Sequence, residues 1–163
     1  MDIGNTFKEC LEEVNISIDE CIFEKLNCKR INDAENRSGI YVFLDDSTIY
    51  YVGESNNIGR RVGHEHCKAH IGGSEAVVRF LIYYLDDLYR EAHHEKGLSI
   101  IERERLIRDL LMRRINSLSI LVLICDKLID HNNRKNPLRI RLEKCLIDKL
   151  NPVLNPSSQT YGT

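Results

Sequence analysis

Two short runs rich in Ile, Tyr and Val, Gly39-Ile40-Tyr41-Val42-Phe43-Leu44 and Thr48-Ile49-Tyr50-Tyr51-Val52-Gly53, are separated only by Asp45-Asp46-Ser47. β-Branched and aromatic residues on both sides of a short polar turn predict a β-hairpin. Residues two apart on a strand share a face, so Tyr41 and Tyr51 can project from neighbouring strands toward one surface.

The rest of the chain supplies mostly helices. Phe7, Cys10, Leu11 and Val14 fall at helical spacing, and a second helix is expected over residues 17–26, where Ser17 and Glu20 can form a capping box. Helix-forming residues run from 56 to 70, up to the break at Gly72-Gly73. Ser74 can then cap a long helix over 75–93. A further helix is expected over 100–115, a buried third strand over 120–125, and a last helix that starts with Pro137 in its first turn and ends near Leu150. The expected fold is α/β (α+β), with a small, mainly antiparallel three-stranded sheet flanked by helices. An acidic helical extension is expected over 1–37, the main domain over 38–156 and a polar tail over 157–163.

Composition narrows the class. The 163 residues are 42% hydrophobic and 29% charged, as in ordinary globular proteins, and such a length buries enough surface to fold without a disulfide or metal staple. The most apolar run, residues 118–125, is far shorter than the ~20 residues of a membrane span and lacks the N-terminal basic flank that a signal segment needs. The expectation is a cytoplasmic protein that is not exported and has no membrane partner. The six cysteines show no CxxC pair or dense spacing, so most are expected as buried reduced thiols. The net charge is −2, but residues 1–37 hold nine acids and five bases, leaving 18 bases and 16 acids for the remainder. A polyanion would therefore be met through a local surface rather than the whole molecule.

Specific chemistry enters with four motifs in order. Gly39-Ile40-Tyr41 is followed by Tyr51-Val52-Gly53, then by Arg61 ten residues after Tyr51. A distant run carries Glu143, Leu146, Ile147, Pro152 and Asn155. Together they resemble the GIY-YIG nuclease superfamily over residues 38–156, with valine in the middle of the second motif. The resemblance implies a divalent-metal-dependent endonuclease that hydrolyses phosphodiester bonds in DNA, with Mg²⁺ or Mn²⁺ as cofactor. Tyr41 would assist the attacking water and Tyr51 support the phosphate. The forked guanidinium of Arg61 suits a phosphate, and one carboxylate, Glu143, suits an oxygen-seeking cation that keeps most of its waters. Asn155 fits either active-site support or closure of the chain end.

One position departs from the pattern. The family commonly has histidine or tyrosine four residues after its arginine, where this chain has Glu65. His64 is four after Arg60, which leaves Arg60 against Arg61 and His64 against His66 open; Arg61 and His64 are placed first. The displaced histidine also motivates an alternative, a non-catalytic nucleic-acid-binding module that keeps the fold. His66, Cys67 and His70 offer a third reading, a zinc site on one helix face. For nucleic-acid contact, Arg60, Arg139, Arg141 and Lys144 are the candidates, the last three in a basic region beside Glu143. A homodimer would allow both strands of a symmetric site to be cut.

Overall fold

β2 (Gly39–Leu44) lies in the middle of the sheet because both of its edges find partners. A computed structural model describes residues 2–130 and 135–155; the tail expected at 157–163 lies outside them. On one side β2 pairs antiparallel with β3 (Ile49–Ser55), completing the expected hairpin. On the other it pairs antiparallel with β4 (Ser119–Cys125). The far edge of β4 is taken by β1 (Cys21–Leu26), again antiparallel, giving the order β1-β4-β2-β3.

Among the described residues the fold is thus mixed α/β with four antiparallel strands. The fourth strand corrects the expectation of three, and it corrects the helix expected over 17–26. Ser17 does cap, but only a single 3₁₀ turn, Ile18–Glu20, after which the chain extends. β4 is apolar along its length and needs a partner on each edge. Pairing with β1 meets that need, and Phe23 packs its ring against Phe7 of α1 (Ile3–Glu13). Tertiary pairing overrides a local helical pattern. The extension is consequently part of the sheet.

Alternation on the central strands fills two cores. Ile40, Val42, Val52, Leu121 and Leu123 face α1 and α5 (Pro137–Leu150). Tyr41, Phe43, Ile120, Val122 and Ile124 face the helices of the middle of the chain. These are α2 (Glu75–Tyr83), α3 (Leu85–Ala92) and α4 (Ile100–Asn116). The single helix expected over 75–93 bends at Tyr84, whose ring stacks on Phe80. No helix among the described residues is long and apolar enough to cross a membrane.

All six cysteines are paired: Cys10 with Cys145, Cys21 with Cys125 and Cys28 with Cys67. The expectation of reduced thiols is corrected. The packing explains the pairs: α1 lies on α5, and the register of β1 on β4 sets Cys21 opposite Cys125. Every disulfide joins the first 37 residues to the remainder of the chain.

Loops of this size restrict the unfolded chain strongly. Replacing Cys10 and Cys145 with serine is expected to lower the unfolding free energy by about 2–4 kcal/mol, read from urea denaturation. Non-reducing peptide mapping should recover the three pairs.

Candidate active site

The hairpin brings its two tyrosines together through two glycines and a bulge. A Cβ on Gly53 would sit 2.5 Å from the Tyr41 ring and 2.8 Å from that of Tyr51, so any side chain there would strike both. Gly39 is equally closed, by the backbone carbonyl of Leu123. The register slips between Phe43 and Leu44, leaving Tyr50 without an opposite residue. That extra residue lets Tyr50 and Tyr51 both pack toward the core that holds Tyr41.

The helix expected over 56–70 is instead π-helical over Gly59–His66, with main-chain bonds from Cys67 to Val62 and from His70 to Glu65. Its i→i+5 winding keeps residue i+5 near the face of residue i, where an α-helix would carry it well round. Arg61 and His66, five apart, therefore reach the same cleft. His64, the histidine placed first, is exposed, does not line this cleft and lies 3.5 Å from Lys68 Nζ. Arg61 lines the cleft and Arg60 does not; both hold Glu65, at 2.6 and 2.7 Å.

The cleft has a volume of about 240 Å³ and lies where the edge strand β3 separates the two helical layers. Tyr41 and Tyr51 rise from the sheet, Arg61 and His66 from the π-helix, Ser74 and Glu75 from the start of α2, and Glu143 from α5. Glu54 and Lys135 complete the wall. His66, 1% exposed, is held from both sides, with Nε2 2.9 Å from the Tyr41 hydroxyl and Nδ1 2.9 Å from Ser74 Oγ.

Burial governs the electrostatics. It lifts the Tyr41 phenol well above the ordinary value, reinforced by Tyr51, against the pull of Arg61. Burial, then the charge of Glu143, pushes Tyr51 up to about 12. Both are phenols at neutral pH, because burial outweighs the pull of Arg61. Burial, then Arg61, lowers His66 to about 3 and keeps the ring neutral. Glu143 is raised to about 7, first by burial and then by the negative charge of Glu54. Burial also acts to raise Glu54, but its bonds to Lys135 and Arg139 outweigh that and hold it below the usual range.

Other expected site residues are placed differently. Arg139 is 2% exposed and cannot meet a nucleic acid. Its guanidinium is bonded to Glu54, Asp130, Ser38 and the Leu128 carbonyl, tying α5 to the start of the hairpin. Arg141 is exposed and reaches the Glu13 carbonyl at the end of α1, 3.4 Å away, and Lys144 is exposed. The three bases beside Glu143 thus do not form one surface. Asn155 brackets the main chain of Val52, donating to its carbonyl and accepting from its amide, each at 2.8 Å. It fixes the strand between Tyr51 and Gly53. The zinc reading does not fit, because Cys67 is in a disulfide and both nitrogens of His66 are engaged.

Sequence reasoning missed Glu54 and Ser74. Glu54 directly follows the second motif, which is a usable signal; Ser74 read only as a helix cap. Among the described residues no three His, Cys, Asp or Glu side chains converge as a metal cage. Glu143 still fits a hard cation that keeps its waters, since its carboxyl is crowded by burial and by a second carboxylate. Comparison of the chain with protein-family models, curated proteins and solved structures finds no match.

A carboxyl raised on folding binds its proton more tightly in the native state, so stability falls as pH rises from about 4.5 to about 7. Glu143→Gln is expected to be more stable than the unmodified protein at pH values above that window, by on the order of 1–3 kcal/mol. Below it the difference should vanish. Urea denaturation at both ends of the window checks this; equal differences at both would refute the raised carboxyl.

Proposed function

We propose that the protein is a divalent-cation-dependent endonuclease of GIY-YIG type that hydrolyses phosphodiester bonds in DNA. The observation that carries the reading is the convergence of Tyr41, Tyr51, Arg61 and Glu143 on one cleft although more than 100 residues separate the first from the last.

Hydrolysis needs an oriented water, positive charge on the phosphate and stabilisation of the leaving oxygen. The guanidinium of Arg61 spends part of its fork on Glu65 and offers the remaining donors to a non-bridging phosphate oxygen. Tyr41 donates inward to His66, which turns the lone pairs of its oxygen toward the cleft, where they accept from the attacking water. Tyr51 supports the phosphate as a neutral donor, consistent with its raised phenol. Glu143 would hold Mg²⁺ or Mn²⁺, and such a cation would supply Lewis-acid stabilisation of the charge developing on the phosphate. Arg60, Arg141 and Lys144 remain exposed for contact with DNA beyond the cleft. One such cleft per chain would need a homodimer to cut both strands of a symmetric site.

The test is a panel of linear, nicked, branched and single-stranded DNA incubated with Mg²⁺ or Mn²⁺. Arg61→Ala and Glu143→Ala are each expected to reduce cleavage by about a hundredfold or more. Cleavage that survives both substitutions refutes the assigned roles. Salt-sensitive DNA binding with no cut product under any cation marks a non-catalytic binding module instead.

A further inference from the structure

Ser74 occupies the N-cap position of α2, yet its side chain makes no capping bond. Polar residues at the corresponding position of α1, α4 and α5, namely Asp2, Ser99 and Asn136, all accept from main-chain amides of the first turn. The Ser74 hydroxyl instead meets His66 Nδ1. Both side chains are almost wholly buried, as is Tyr41 on the other side of the ring. The result is a linear chain, Ser74 to His66 to Tyr41, leading from the end of a helix to the cleft.

The protons in this chain can be arranged in two ways. A neutral imidazole carries one N–H, so one ring nitrogen donates and the other accepts. If Nε2 carried the proton, it would occupy a lone pair of the Tyr41 oxygen and push the phenolic O–H outward. If Nδ1 carries it, Nε2 accepts from Tyr41, and the lone pairs of the phenol face the cleft. His66 Nε2 is the one hydrogen-bond partner of the Tyr41 hydroxyl among the described residues, and a phenol is a better donor than acceptor. The free imidazole of histidine prefers its proton on Nε2, so the second arrangement requires an acceptor at Nδ1.

We propose that Ser74 is a positioning residue: its oxygen accepts the Nδ1 proton of His66, which leaves Nε2 to receive the hydrogen bond of Tyr41 and aims the Tyr41 lone pairs at the reacting water. Withdrawal of this hydroxyl from its capping role is explained by that task. The chemical consequence rests on the nuclease reading; the tautomer does not. His66 stays neutral because burial and Arg61 oppose its protonation, so the arrangement persists through the neutral range.

Long-range ¹H–¹⁵N correlation of the imidazole rings in the ¹⁵N-labelled full chain at neutral pH tests the proposal. His66 is expected with a protonated-type Nδ1 and an unprotonated-type Nε2. Ser74→Ala should move the proton to Nε2, and Ser74→Thr should restore it. Cleavage in the same series should fall between about tenfold and a hundredfold in Ser74→Ala, the range for loss of a partner that orients a functional histidine, and recover in Ser74→Thr. An unmodified protein with its His66 proton on Nε2 overturns the proposal, as does a Ser74→Ala ring that keeps its proton on Nδ1. The first of these is read without any variant, so a failure of Ser74→Ala to fold leaves the decision intact. If the unmodified protein cuts no DNA, the nuclease reading fails while the ring spectrum still decides the tautomer.

Discussion

Everything else in the molecule hangs on the double pairing of β2. Its residues are bonded to β3 on one edge and β4 on the other, and its side chains alternate between two buried layers. A strand so enclosed tolerates little change of register, because a slip of one residue would exchange the contents of the two cores. That rigidity lets Tyr41 stand at a defined place with its hydroxyl against His66. It also explains why glycine stands at 39 and 53, where neighbouring backbone or rings occupy the space a side chain would need.

The cleft is assembled from both layers across the edge strand. One layer brings the π-helix with Arg61 and His66; the other brings α5 with Glu143. The wide π-helical turn matters because it reconciles an arginine and a histidine five apart with a shared face. Buried Arg139, bonded to Glu54 and Asp130, anchors α5 beside β3. Removing one partner from such a buried network leaves a charge uncompensated, so these residues act together. Glu54 consequently serves two masters, paired to cations on one side and raising the proton affinity of Glu143 on the other.

The first 37 residues are bound to this framework three times over. They add β1 to the open edge of β4, cover one sheet face with α1 and supply one cysteine to each disulfide. Cys28–Cys67 reaches the residue next to His66, so the extension is covalently linked to the π-helix that lines the cleft. Its acidic balance therefore belongs to the working domain, and the basic region beside Glu143 is partly consumed by internal pairs.

Much of this was legible in the residues. The hairpin, the buried strand between α4 and α5, and the helix opened by Pro137 follow from short-range rules of periodicity, turn chemistry and capping. The motif spacing likewise picked out Tyr41, Tyr51, Arg61 and Glu143, which do share a cleft. Most of the features that the structure places differently depend on contacts between distant segments. Residues 17–26 carry a helical pattern but extend because β4 offers unpaired main-chain groups. His66 lines the cleft and His64 does not because the chain winds as a π-helix, and Arg139 is buried because α5 docks its charge against Glu54 and Asp130. Cysteine spacing does not reveal which thiols the packing brings together, and a serine before a helix does not show that its hydroxyl faces a histidine. Local patterns specify which elements form; the direction in which a side chain is spent depends on the partners that folding places within reach.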